Sequence, residues 1–280
     1  MSEIPFNINQ YTNTLTKKEG IFFSKNKSEI SYPKDGNDAC FTLEENSFWF
    51  KHRNNCILSL VDKYGKDKPF FDIGGGNGFV SKELENHGIQ TCLIEPGVKG
   101  CINAKKRGLK NIVCSDLNNA GFKKGSIPIA GLFDVIEHIE NDVDFLRETN
   151  HYLMADGILV ITAPAYQFLW SKEDEDAGHF RRYNLRNLKK KLNETGFKII
   201  YSTYIFSFLV FPVLFFRTLP SLLGIAERGI EKAEKEHTVD KNGFLNKLLT
   251  KLLLFETKQV EKNRKIPLGG SCLIVAKIRK

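Results

Sequence analysis

Residues 70–79 read FFDIGGGNGF. Two phenylalanines, an acid and an isoleucine run directly into four glycines placed around Asn77. Glycine loses more conformational freedom on ordering than any other residue, so such a cluster marks a sharp bend or a close approach to the backbone. An apolar strand ending at Asp72, a glycine-rich turn and a helix starting near Phe79 form one unit. In it, backbone N–H groups and the helix N-terminus face outward with little side-chain bulk between them and a ligand.

Working outward, strand-like and helix-like segments alternate. The strands are expected at Pro69–Ile73, Thr91–Glu95, Asn111–Cys114, Ile129–Ile136 and Gly157–Ala163, with helices at Phe79–His87, Val98–Gly108 and Asp142–Leu153 between them. Short apolar strands separated by helices predict βαβ units and a mostly parallel sheet covered on both faces. Upstream, apolar residues at helical spacing from Leu43 to Tyr64 predict one amphipathic helix. Downstream come a polar loop over Ala165–Tyr183, a basic helix at Leu185–Thr195, a strand at Phe197–Tyr204 and a last strand at Gly270–Lys277. The predicted organisation is an N-terminal extension (1–42), a core (43–204), a helical insertion (205–265) and the final core strand (266–280).

A strand followed by such a turn serves dinucleotides or S-adenosyl-L-methionine (SAM). The dinucleotide pattern G-x-G-x-x-G fails, because Phe79 stands where a small residue is needed and an acid precedes the glycines. Asp72-Ile73-Gly74-Gly75-Gly76-Asn77-Gly78 instead resembles the first motif of the class I SAM-dependent methyltransferases. The resemblance continues through CLIEP with Glu95, CSDLNN with Asp116, FDVIEHIEN (133–141) and LVITAP (159–164). FDVIEHIEN matches the motif after the fourth strand in the subgroup that includes ubiquinone-biosynthesis O-methyltransferases. It implies a Rossmann-like seven-stranded sheet of order 3-2-1-4-5-7-6 and SAM as cofactor. It also implies cofactor contacts from Asp72, Gly74, Gly76, Asn77, Glu95, Pro96, Asp116, Leu117 and Asp134. In the family the acid of the second strand holds both ribose hydroxyls, which a carboxylate can do by accepting two hydrogen bonds.

Methyl transfer from a sulfonium is an in-line displacement in which the protein orients the partners and, for a hydroxyl acceptor, supplies a base. His138 and His179 are the expected catalytic residues, with Tyr183 beside them, because ligands of open α/β sheets lie on the loops after the strands. GHFRRY (178–183) also resembles a segment common in the subgroup. Arg181 and Arg182 are expected to clamp a carboxylate or phosphate of the substrate, and Tyr166 to line its pocket. Asp134, Glu137 and His138 follow D-x-x-E-H, where some relatives carry E-x-x-E-H around a divalent ion. Asp at the first position weighs against an ion, and no metal is expected. The Asn/Asp-Pro-Pro-Tyr/Phe of adenine methyltransferases is absent, so the expected acceptor is an oxygen of a small or lipid- or glycan-linked molecule.

The chain of 280 residues carries a net charge of +8, which permits anionic partners without choosing one. Nucleic-acid motifs are absent. No two of the six cysteines are spaced C-x-x-C, and with no signal-peptide-like start this fits a reducing cytoplasm. Tyr204–Leu223 has an apolar run broken by Pro212 and Arg217, shorter than the roughly 20 residues of a spanning helix. The stretch GFLNKLLTKLLLFETKQVEKNRK mixes leucines with lysines as an amphipathic basic helix. The insertion is therefore expected to be a cap over the site, a homodimer interface, or an element on the inner membrane face. A non-catalytic SAM-binding scaffold is the competing reading; the intact Asp72, Glu95 and Asp116 weigh against it.

Overall fold

The computed structural model describes residues 6–26, 36–65, 67–225 and 244–279. Its centre is β3 (Phe70–Ile73), in which Phe70 and Phe71 are both fully buried and face opposite sides of the sheet. A strand buried on both faces needs no polar alternation, which is why this run reads as continuously apolar. Around it lie β4 (Thr91–Glu95), β5 (Ile112–Cys114), β6 (Ile127–Phe133), β7 (Leu153–Pro164), β8 (Phe197–Ile205) and β9 (Ser271–Ile278). Their spatial order is β5-β4-β3-β6-β7-β9-β8, the expected 3-2-1-4-5-7-6. β9 runs antiparallel to both β7 and β8, and the other core pairs are parallel.

The sheet has nine strands rather than seven. The additional two come from the N-terminal extension: β1 (Thr16–Lys18) pairs antiparallel with β2 (Ile21–Phe23), and β2 adds in parallel to β5. Phe6 and Tyr11 pack on Phe71 with ring centroids 5.9 and 4.8 Å away. Residues 6–23 of the N-terminal extension are thus part of the sheet and its core.

The single helix expected over 43–64 is two, α1 (Gly36–Asn46) and α2 (Phe48–Gly65). Ser47 separates them. Its Oγ accepts hydrogen bonds from the N–H groups of Trp49 and Phe50 at 3.2 and 3.4 Å, capping α2. Between the strands run α3 (Phe79–Asn86), α4 (Val98–Lys106), α5 (Asp142–Tyr152), α6 (Lys172–Asp176) and α7 (Leu185–Glu194). The chain reverses direction in the sheet between β3 and β6, and the crevice at this switch point opens at the C-terminal ends of the strands.

In the insertion, α8 (Val210–Val213) passes through a π-helical turn (Leu214–Thr218) into α9 (Leu219–Leu222). The ladder widens just before Pro220, which has no N–H to give the preceding turn. Residues 226–243 of the insertion lie outside the described residues. α10 (Phe244–Glu261) packs against α2. The junction is a buried pair, His52 Nε2 to Glu256 Oε1 at 2.7 Å. The same carboxylate accepts the Phe206 and Ser207 N–H groups at 2.5 and 2.9 Å and the Ser207 hydroxyl at 2.7 Å. No described helix is long and apolar enough to cross a membrane. The six cysteines form no disulfide.

Candidate active site

A cavity of about 480 Å³ occupies the switch-point crevice. At one end is the glycine-rich turn. Gly76 has φ +54°, and among the described residues a Cβ there would have only the Asn37 Oδ1 within 4 Å, at 3.5 Å, so they leave space beside its backbone. Gly78 caps α3 with φ +72°, and a Cβ there would lie 2.4 Å from Leu109 Cδ1. Left-handed backbone and near-zero clearance together require glycine at 78.

Facing the turn, Glu95 ends β4. Its two oxygens accept the N–H groups of Gly76 at 2.9 Å and Gly97 at 2.7 Å. Burial, opposed by these two donors, raises the Glu95 carboxyl to about 7. Asp72 is fully buried. One of its oxygens accepts the Ser81 hydroxyl at 2.7 Å, and the other has no hydrogen-bond partner among the described residues. Burial lifts its carboxyl to about 6. Pro96, Leu117 and Asp116 line the same end. The Asp116 oxygens accept the backbone N–H and side-chain amide of Asn119, both at 2.7 Å, which shapes the turn after β5.

Asn77 lines the cavity, but its side chain serves packing. It donates to the Asn37 carbonyl at 2.7 Å and accepts from Asn103 at 3.1 Å, tying α1 and α4 to the turn. Glu44 of α1 lies alongside and pairs with Arg107 at 2.7 Å. Nothing in the sequence placed α1 over the site. Asp134 sits at φ +56° after β6, where Arg53 of α2 donates to it at 2.5 Å and Thr162 at 3.0 Å. Arg53 also lines the cavity and brings a cation among Asp72, Asp134 and Glu137.

The other end holds His138 and His179, edge to face with ring centroids 4.7 Å apart. His179 Nδ1 is 2.8 Å from Asp174 Oδ1, so the imidazole donates there and keeps Nε2 for the cavity. Asp174 is 1% exposed; it also accepts Arg182 Nε at 2.8 Å and the Ser171 N–H at 2.9 Å. Asp174 was missed in the sequence, although Ser171-x-x-Asp174 is the spacing of a helix capping box, which it forms. Burial first, then the neighbouring His179, depress His138 to about 4. Glu137 is 0% exposed and neither carboxylate oxygen has a hydrogen-bond partner among the described residues. Burial, then the Asp134 charge, hold its carboxyl well above the usual range. The ligand atoms of Glu137, His138 and His179 lie within 4.8 Å of one another, a donor set able to take a divalent cation.

Three expected site residues are placed elsewhere. Tyr183 is 3% exposed and donates to Asp142 at 2.6 Å, away from the cavity lining. Arg181 donates to the carbonyls of Ile139 and Glu140 at 2.9 and 2.8 Å, holding the turn after β6 rather than facing the cavity. Tyr166 stacks on Tyr204 at 4.9 Å, also off the lining. Arg182 does line the cavity, with its guanidinium held by Asp174 and the Ala165 carbonyl.

A glycine turn opposed by a carboxylate from the next strand, on a sheet of this order, is the architecture of the Rossmann-like class, in which ligands lie in this crevice. The chain belongs to the family described as methyltransferase domain, which matches residues 50–202. No curated protein sequence matches it. Among solved structures, it is similar to phosphoethanolamine N-methyltransferase 2 of Haemonchus contortus in complex with S-adenosyl-L-methionine. There the identity is 17% and the TM-score 0.56, over 89% of this chain and 58% of that one. It is likewise similar to a SAM-dependent methyltransferase from Archaeoglobus fulgidus, at 18% identity and TM-score 0.51, over 85% of this chain and 98% of that one. At such identities the likeness is one of fold.

The residues present fit SAM. The Glu95 carboxylate suits a vicinal diol, the unpartnered Asp72 oxygen suits a cationic amine, and Gly76 leaves room for close approach. Nucleoside affinity should then follow Glu95 ionisation. A carboxyl raised to about 7 is largely protonated at pH 6, and only the ionised form accepts from both hydroxyls. The affinity for S-adenosylhomocysteine should rise by about tenfold between pH 6 and 8. Calorimetry checks this, and Glu95→Gln should flatten the rise; an unchanged slope in that variant refutes the assignment.

Proposed function

We propose that the protein transfers the methyl group of SAM to an oxygen of an acceptor bound at the histidine end of the cavity. In this reading the acceptor is small, or linked to a lipid or glycan. The observation that carries it is the single cavity joining Gly76 and Glu95 to His179, with Asp174 behind the imidazole. The cofactor, when bound, supplies an electrophilic methyl on sulfur. His179 Nε2 would take the acceptor proton as the methyl carbon passes from the sulfonium sulfur, which keeps the bond's electron pair as a neutral thioether, to the acceptor oxygen; Asp174 holds the Nδ1–H and the tautomer. An amine acceptor arriving unprotonated needs no base, so a built Asp–His pair favours oxygen, as does the resemblance to the O-methyltransferase subgroup.

The test uses SAM labelled in its methyl group with an extract of membrane lipids and lipid-linked glycans. Label should pass into an alkali-stable ether in the organic phase, and Glu95→Ala should abolish transfer. Binding of the cofactor without transfer to any lipid or small alcohol would favour the scaffold reading.

A second reading rests on Glu137, whose buried carboxylate has no hydrogen-bond partner among the described residues. In that reading Glu137, His138 and His179 hold a divalent cation that polarises the acceptor hydroxyl, and His179 is a ligand instead of the base. Exhaustive chelation separates the two. Unchanged turnover supports the base; turnover lost and restored by one divalent ion supports the cation.

A further inference from the structure

We infer that the protein docks on an anionic bilayer through its insertion, with the turns that wall the acceptor end of the cavity lying in the membrane interface. The docking surface stands on its own geometry; that the acceptor arrives along it rests on the methyl-transfer reading above.

Two apolar surfaces are involved. In the segment from Ser207 to Ile225, Phe211, Phe215, Phe216, Leu222, Leu223 and Ile225 are each more than half exposed. Exposing six large apolar side chains within one short segment is unfavourable in water unless something covers them. On α10, Glu256, Thr257 and Val260 are buried. Leu248, Leu252 and Phe255, spaced i, i+4, i+7, form an exposed stripe flanked by exposed Lys251 and Lys258. The Glu256 bonds to Phe206 and Ser207 tie the C-terminal half of α10 to the start of the first segment.

Charge selects the occupant. Residues 207–225 contain no Asp or Glu, and the residues flanking the α10 stripe are lysines. A second copy of the chain related by a two-fold axis would set this basic apolar face against itself. A bilayer with anionic head groups offers the complement: acyl chains for the phenylalanines and leucines, phosphates for the lysines.

The same segment reaches the site. Val213 and Arg217 line the cavity while Phe215 and Phe216 project outward from the π-helical turn between them. The segment is fastened to the loop that carries Asp174: the Thr218 hydroxyl donates to the Leu169 carbonyl at 3.1 Å, and the Lys172 N–H donates to Ser221 at 3.0 Å. A surface buried at the bilayer would therefore place the acceptor end of the cavity next to lipid, and a membrane-resident acceptor could reach it laterally.

The test is flotation of the full chain with vesicles of phosphatidylcholine alone or with about one-third phosphatidylglycerol. Co-migration should be at least about tenfold greater with the anionic vesicles and should weaken in high salt. The variant F216S/L222S/L223S, altered only at exposed positions, should lose about tenfold or more of that binding, and K251E/K258E a similar share. Both should bind S-adenosylhomocysteine like the parent chain. No co-migration, equal binding to neutral vesicles, or undiminished binding by the triple variant overturns docking. So does a parent dimer that the triple variant converts to monomer without vesicles. Loss of docking with nucleoside binding intact leaves the methyl-transfer reading standing; failure of the parent chain to bind the nucleoside brings that reading down separately.

Discussion

Replacing Glu95 by Ala lowers the affinity for S-adenosylhomocysteine about 100- to 1,000-fold, equivalent to about 3–4 kcal/mol. Two effects add. If Glu95 holds the ribose as proposed, the variant loses the acceptor of two charge-assisted hydrogen bonds from the diol in a largely dehydrated site. It also removes the group that now accepts the Gly76 and Gly97 N–H groups, at 2.9 and 2.7 Å, and so fixes the turn the ligand lies on. Glu95→Gln should fall between, because an amide offers one acceptor oxygen and a donor NH2 where the carboxylate offers two acceptor oxygens. The measurement is calorimetric titration at pH 8, with circular dichroism to show that the fold is kept. Affinity within about threefold of the parent would remove the basis of the nucleoside assignment.

Glu256→Ala destabilises the protein by about 3–5 kcal/mol, because several buried donors lose their common acceptor at once. His52 would lose its partner at 2.7 Å, and the Phe206 and Ser207 N–H groups their common acceptor. The carboxylate is 2% exposed, so water does not readily replace it. Its own ionisation shows the same arrangement: burial opposes the charge, but His52 and the Ser207 donors overcome it and hold the carboxyl below its ordinary value. Thermal unfolding should show a midpoint lower by about 10 °C. The effect should also reach the site, because the segment beginning at Phe206 carries Val213 and Arg217 to the cavity wall. A loss below about 1 kcal/mol would mean that the insertion is attached by its apolar contacts and not by this carboxylate.

What was legible in the chain was what short-range physics determines. The glycines at 74, 76 and 78 have φ of +70°, +54° and +72°, a backbone requirement that composition reveals directly. The helix starting at Phe79 and the strand at 91–95 lie where periodicity and turn residues put them. The order of the core strands came from the family resemblance, and the sheet has it. Ser47 shows a local signal overlooked: a serine before Trp49 and Phe50 can cap a new helix, and apolar spacing alone ran through it. The capping box at Ser171 and Asp174 was equally readable, but its use in orienting His179 was not, since a cap and a positioning carboxylate look the same in one dimension.

The sequence by itself determined the alternation of strands and helices, the glycine bend after β3 and the carboxylate that ends β4, because each depends on a few neighbouring residues. Only the tertiary structure decided which polar side chains face the cavity. Tyr183 and Arg181, adjacent to cavity-lining residues in sequence, turn to Asp142 and to the Ile139 carbonyl about 40 positions away. His52 meets Glu256 across 204 positions. A side chain's role follows from the partner that satisfies its donors and acceptors, and that partner is chosen by how distant elements pack.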